Sequence, residues 1–490
     1  MQDISLQKST FFASGLSEQE ITTIQASTGM PCGSLPMRYL GVPLCTKKLN
    51  LQNCEPLLQQ IKQRLASWSA KALSFAGRLL LIKTVISGVF TFWCSSFILP
   101  KACINRINSL CGHFLWNGNI EGHHTARVSW ETVILTKAEE GLGVKDLHSW
   151  NLACILKLIW MLFFRPSSVW VCWFKEVILR GDISNYWTIK KSSTHSWLAN
   201  RMIKARDLIL PLLKRRIGNG ETTRFWFDNW SPFGSIDTFL NGNSSRLGIP
   251  KNATLASLFT ATRWRFPPAR TDNQLLLQVH LTTVLLTQEE DYYEWEIEGK
   301  VRLKYHTGEM YTYLKGHQPL VPWAKIVWCS YAIPRQSFLT WLVLLDRCPT
   351  RDRLNRWGLN VDPMCLLCNT QHETRNHLFF ECGFSLAIWT QVAARCDLQP
   401  LRSWEDTLLQ LQALRSPRHA LRLTLLALQA TVYWVWSKRN SRLHSRVFRS
   451  PDAIVSLIDK QLRNRLQSIR LTNPTSSSAM TQLWFLHSQV

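Results

Sequence analysis

Four side chains constrain this sequence more than any others. Cys365, Cys368, His377 and Cys382 read C-x2-C-x8-H-x4-C within eighteen residues. Two thiols on a tight turn, then an imidazole and a third thiol about one helical turn apart, can close a tetrahedron around one Zn²⁺. With every corner filled by protein, such an ion holds a fold and leaves no open position for a reaction. His372 is a competing donor, but it lies so near Cys368 that it would crowd it, and the gap from His377 to Cys382 suits a helix or turn. Cys348 and Cys396 are fall-back thiols. Leu378, Phe379 and Phe380 lie between the last two donors and predict an apolar wall beside the ion.

At 490 residues the chain exceeds one ordinary core, so two to four folding units are expected. Hydrophobic residues make up 46%, which excludes a largely disordered protein. The 57 Lys and Arg against 33 Asp and Glu leave a net charge of +24. Such an excess favours a polyanion partner, nucleic acid being the commonest. Trp is abundant, at 23 residues, and most fall inside apolar helical patterns, which reads as core. Stacking on unpaired bases is its minority use. Eleven of the 14 Cys lie outside the metal cluster and the opening MQDISLQKST is polar, so reduced thiols in a nuclear or cytosolic setting are expected. The 17 uncharged residues between Lys83 and Lys101 are at the short limit for a membrane span; with Ser, Gly and a terminal Pro they read as a buried helix.

Along the chain, Ser17 to Ser27 is a short polar helix candidate and Met37 to Val42 a short extended run. Three helical faces follow: Leu58, Ile61, Leu65 and Trp68; Leu79, Ile82, Ile86, Phe90 and Trp93; Ile104, Ile107, Cys111 and Phe114. Lys71, Arg78 and Lys83 sit among apolar residues there, either as helix-end charges with packed stems or as phosphate contacts. Gly141 and Gly143 make a turn, since the G-x-G-x-x-G of a nucleotide loop is missing. IGNGETTRFWFDNW predicts a hairpin turn with a strand at Phe225–Phe227, and a second hairpin turns at Glu298-Gly299. Glu289, Glu290 and Asp291 read as a solvated face. Apolar helices are expected at Ile333–Leu345 and Phe384–Val392, on either side of the metal stretch. Lys438, Arg439, Arg442 and Arg446 lie in an acid-free stretch, with Arg439, Arg442 and Arg446 on one face if the helix continues. NPTSSSAMT reads as disordered.

KSTFF, GSLPMRYLGVPL, WSAKALSFAGRLLLIKTVI, FLWNG, EEGLGVKDLHSWNLA, IGNGETTRFWFDNW and CLLCNTQHETRNHLFFEC occur in this order. Together they resemble the C-terminal part of plant LINE-type (non-LTR) retrotransposon reverse transcriptases. The resemblance implies a mainly α fold with small β elements: a helical thumb-like bundle, an α/β connector, a small zinc-binding module and a C-terminal helical segment. It lays out the end of a palm-like region at 1–45, a thumb-like region at 46–130, a connector at 131–320 and a reverse-transcriptase zinc-binding domain at 321–395. A basic helical segment at 396–470 and a flexible tail at 471–490 follow. Cys365, Cys368, His377 and Cys382 fall on the family's four metal positions.

The family's polymerase activity needs carboxylates holding two Mg²⁺ ions. It supplies them as adjacent aspartates, and no Asp-Asp pair occurs in this sequence. The expected function is therefore zinc-stabilised, largely sequence-independent RNA or DNA binding. Lys71, Arg78, Lys83, Lys438, Arg439, Arg442 and Arg446 are the candidate contacts, and no membrane or small-molecule substrate is expected. The expected location is the nucleus, or else a cytoplasmic ribonucleoprotein. A zinc-dependent protein-interaction module and the accessory half of a split reverse transcriptase are the alternatives.

Overall fold

The computed structural model describes residues 9–35, 37–39, 42–44, 48–67, 73–121, 125–241, 247–260, 263–414 and 417–486. Trp68 and Lys71 lie outside the described residues. The fold is mainly α with small β elements, as expected. The chain divides into two compact units.

One unit comprises Met1–Leu57, Phe90–Ile104 and Asp146–His317. At its centre the helix Leu147–Phe164 starts at Asp146, whose carboxylate accepts from the His148 and Ser149 amides. That satisfies donors a helix start leaves open. Ala153, Leu156, Ile159 and Leu162 face the core, and the helix packs on Thr307–Lys315. One polar side chain interrupts its apolar surface: Asn151 accepts from the Leu99 amide and donates to the Cys94 and Phe97 carbonyls, tying down the chain before Pro100. Two helices, Phe75–Ser96 and Leu147–Phe164, are long and apolar enough to cross a membrane, and half of the second is buried in protein.

The strands of this unit are short. Met37–Tyr39 pairs with Val42–Leu44, so the single extended run expected there is a hairpin. Leu213–Arg216, Tyr292–Ile297 and Lys300–Val301 form an antiparallel sheet in that order, with Leu213 opposite Trp295. Glu298 (φ 49°) and Gly299 (φ 73°) make its two-residue turn as predicted. The strand expected at Phe225–Phe227 is instead a turn that buries Phe225 and Trp226 completely. The Asp228 amide donates to the Arg224 carbonyl and its carboxylate accepts from the Arg224 amide, which closes this turn, and the loop before it is ordered by Asp291. The Asp291 carboxylate accepts from the amides of Gly218, Gly220, Thr222 and Thr223 and so winds the preceding loop around itself. Burial opposes the charge, but these hydrogen bonds outweigh it and hold the carboxyl below its ordinary value. Asp291 is thus an anchor and no part of a solvated face. A Cβ at Gly218 would meet the Glu289 carbonyl oxygen at 2.2 Å, so this loop admits only glycine there.

The other unit comprises Leu58–Val89, Asn105–Lys145 and Gln318–Val490. Its axis is the 28-residue helix Arg418–Ser445. Pro334–Leu344, Gly383–Ala394, Pro451–Ile469 and Pro474–Leu486 pack against it. Leu423, Leu426, Leu428, Val432 and Val435 are buried along it. Gln429, fully buried among them, donates to the Ile326 and Val327 carbonyls and accepts from the Ser337 hydroxyl. The Gly141–Gly143 turn is confirmed, and a Cβ at Gly141 would meet the Leu135 carbonyl oxygen at 2.1 Å.

The tail expected to be flexible over 471–490 is a helix over Pro474–Leu486. Asn473 caps it by accepting from the Ser476 amide, Pro474 opens it, and Met480 and Trp484, one turn apart, are buried. The Trp484 indole donates to Asp459. The basic stretch also ends differently. The long helix stops at Ser445, with Arg446 in the left-handed region at φ 50°, so Arg446 leaves the face carrying Arg439 and Arg442.

Candidate metal centre

The donors come from two local structures. Cys365 and Cys368 sit on a knuckle closed by the Cys365 amide donating to the Gln371 carbonyl and the Asn369 amide to the Cys365 carbonyl. The Leu367 amide points at the Cys365 sulfur, 3.4 Å away. Asn369, at φ 56°, makes the sharp return. His377 and Cys382 flank the short helix His377–Glu381, in which the Cys382 amide donates to the His377 carbonyl five residues back. At about 3.6 residues per turn, residues five apart diverge around an α-helix. The wider i→i+5 turn brings them to one side.

These four side chains converge. One donor atom from each lies within 4.8 Å of every other. A tetrahedral ion with Zn–S bonds of about 2.3 Å needs sulfurs about 3.8 Å apart, so the set requires little closure. The His377 Nε2 faces the Cys368 sulfur at 3.2 Å, while its Nδ1 is buried without a hydrogen-bond partner. Cys365, His377 and Cys382 are buried and Cys368 is half-buried. A hydrogen bond between Cys365 and Cys382 raises the first thiol and lowers the second, burial raising both. A divalent ion that takes both sulfurs as thiolates displaces their protons. Leu378, Phe379 and Phe380 are buried beside the donors as expected. His372 is exposed, paired through its backbone with Met364, and takes no part in the cluster. Three sulfurs and one imidazole without an open corner suit structural zinc.

Residues 305–389 match the family described as zinc-binding in reverse transcriptase. This segment, which includes the donors Cys365, Cys368, His377 and Cys382, is thus similar to reverse-transcriptase zinc-binding domains. The chain is also 28% identical over 364 residues to a putative ribonuclease H protein of Arabidopsis thaliana, a match covering 72% of this chain and 57% of that one. It is 23% identical over 137 residues to an uncharacterized mitochondrial protein of the same plant, covering 28% of this chain and 88% of that one. The chain thus spans little more than half the length of the first relative. Together these matches support the resemblance to the C-terminal region of a retrotransposon reverse transcriptase.

Within the unit that holds the zinc-binding domain, the knuckle is fastened to the long helix by charge. Glu373, fully buried, accepts from the Arg351 and Leu366 amides and forms an ion pair with Arg439 at 2.8 Å. The Arg442 guanidinium donates to the Leu366 and Leu367 carbonyls and lies over the Phe384 ring. Burial lowers Arg442, and the three thiols pull it back up. A zinc ion with three thiolates carries net negative charge, and Arg442 is placed to offset it.

The predicted phosphate contacts are thereby redistributed. Arg439 is buried with Glu373, and Arg442 is turned toward the knuckle. Lys438 is buried and donates to the Val447 carbonyl; burial, then Arg442 and Arg449, push it down to about 8. Arg78 donates to the Leu115 and Trp116 carbonyls, and Lys83 to the Leu142 carbonyl. Arg446 is exposed. The residues sequence reasoning missed are Glu373, an unpaired acid in a polar stretch, and Arg127 and Arg335, isolated cations that gave no signal.

Proposed function

We propose that this chain acts as the nucleic-acid-holding C-terminal region of a retrotransposon reverse transcriptase, with its zinc-binding domain holding the fold and its basic surface gripping phosphates. The observation that carries this is a reverse-transcriptase zinc-binding domain with a complete Cys₃His donor set in a chain of net charge +24. The grip is largely sequence-independent, through Lys and Arg on the backbone of RNA or DNA. Exposed Arg446 is the surviving candidate contact of the basic stretch, and exposed Arg449 joins it.

The name of one relative raises ribonuclease H activity. Hydrolysis of that kind with two metal ions needs clustered carboxylates. Among the described residues, the only group of three or more His, Cys, Asp or Glu side chains close enough to share an ion is the Cys₃His set. The reading therefore assigns no phosphoryl-transfer chemistry to these residues. A nuclear site of action goes with it.

The test is binding of RNA and DNA by the zinc-loaded chain across a salt series. Affinity falling steeply and linearly on a log–log plot supports the reading, since each phosphate neutralised adds roughly 0.7–0.9 to the slope. Absence of salt-sensitive binding to either polymer refutes it. A tagged full chain found in mitochondria would refute the nuclear assignment.

A further inference from the structure

A cavity of about 600 Å³ opens within the unit that carries the zinc-binding domain. Its aromatic walls are Phe75, Phe338, Tyr433 and Trp436. Arg78, Arg127, Arg335 and Arg439 also line it, and among the described residues no Asp or Glu does. Two of these arginines are occupied, Arg78 by backbone carbonyls and Arg439 by Glu373. The other two are not engaged in that way. The Arg127 guanidinium lies over the Phe75 ring at 5.1 Å, and that of Arg335 over the Tyr433 ring at 5.0 Å. Neither has a carboxylate partner among the described residues. Burial holds Arg127 below its ordinary range, with Cys348 pulling the other way.

A concave site of this size suits a small ligand. Its walls supply the two surfaces on which unpaired bases stack, aromatic rings and guanidinium planes. Its uncommitted guanidinium groups supply forked donors for a phosphate. A base inside a duplex cannot enter such a cavity without leaving its stack. We infer that this cavity takes one extruded nucleotide of a single-stranded nucleic acid, the base against Tyr433 and Trp436 and the phosphate on Arg127 and Arg335. This rests on the nucleic-acid reading above and adds to it a single-strand preference with a defined seat. An acidic peptide is the competing occupant, but it would use the charge and not the stacking surfaces.

The experiment uses the full zinc-loaded chain and a single-stranded RNA carrying 4-thiouridine. Photocrosslinks are mapped by mass spectrometry, and binding is measured by fluorescence anisotropy against duplex RNA of the same sequence. The expected result is crosslinking to the peptides bearing Tyr433 and Trp436 or Phe75, with the duplex giving none there. Arg335→Gln, at an exposed position that does not threaten folding, and Arg127→Gln should together weaken single-strand binding about tenfold or more, with zinc content and Tm unchanged. Trp436→Ala should weaken binding and Trp436→Phe restore most of it. If the RNA binds with salt-sensitive affinity but the arginine variants bind as wild type, or crosslinks fall only elsewhere, the cavity assignment is overturned and the general reading stands. If polyglutamate displaces the RNA as effectively as RNA of equal charge, the cavity assignment is likewise overturned. If neither single-stranded nor duplex RNA binds at all, the general reading itself has failed.

Discussion

Glu373 and Arg439 offer the sharpest test of how the knuckle is held. Their side chains are 0% and 2% exposed, and the ion pair spans 2.8 Å. Removing one member of such a pair leaves an uncompensated charge in the interior, at a cost of about 3–5 kcal/mol. Against a domain stability of roughly 5–15 kcal/mol, that is about a fifth of the total or more. The two single variants differ in kind. Arg439→Met strands a carboxylate that still accepts from the Arg351 and Leu366 amides and can take up a proton. Glu373→Gln strands a guanidinium that cannot shed one. The glutamine also turns its NH₂ toward donors. We expect E373Q near the top of that range and R439M near the bottom. The double variant E373L/R439M, apolar at both positions, should return to within about 1–2 kcal/mol of wild type. Urea unfolding of the zinc-loaded chain, followed by near-UV circular dichroism, measures all three. If E373Q unfolds within about 1 kcal/mol of wild type, the pair does not fasten the knuckle and the reasoning is wrong.

Four further outcomes follow from the structure. Cys365→Ser or His377→Ala should release zinc and unfold the knuckle, because metal affinity at such sites is folding free energy on the order of 10 kcal/mol. His372→Ala should keep full zinc content by atomic absorption, and its loss there would reverse the donor assignment. Asp228, buried and held by the Arg224 amide and the Tyr293 hydroxyl, is pushed up to about 6, chiefly by burial. A carboxyl raised in the folded state takes its proton more readily there than when unfolded. It therefore weakens folding by about 3 kcal/mol at neutral pH, a penalty that shrinks as pH falls from about 7 to about 4. Asp228→Asn should remove that dependence, and a wild-type-minus-variant difference that stays flat across urea titrations in this range would refute it. Trp484→Ala should cost about 3–5 kcal/mol on thermal unfolding, whereas a tail without fixed contacts would show no change.

What the sequence disclosed, it disclosed where chemistry dictates spacing. The four donors could be read because few other uses demand three thiols and an imidazole at those intervals, and the Glu298-Gly299 turn because two positive φ angles in succession require such residues. Where polar stretches depart from expectation, a buried partner claims residues whose composition predicts solvent. Asp291 looked like surface until four amides were seen converging on it. The serines after Asn473 looked like disorder, although Asn-Pro is also how a helix begins, and Met480 and Trp484 one turn apart supplied its buried face.

The basic stretch shows the same departure with charge, and it carries a general consequence. Three thiolates around a divalent ion leave a net negative charge, and Glu373 adds another in the same interior. An interior with that excess is stable only if cations enter it, and the helix Arg418–Ser445 supplies two. Arg439 and Arg442 meet that need and are lost to any external polyanion for as long as the site is intact. Metal removal should therefore do two opposite things to nucleic-acid affinity: expose Arg442 to solvent, which adds a phosphate contact, and loosen the wall that Arg439 gives the aromatic cavity, which removes a seat for the base. On this reasoning, chelation should raise affinity for duplex and lower it for single strands. Zinc-dependence of the same sign for both would show that the arginines near the knuckle and the cavity are not coupled through Glu373.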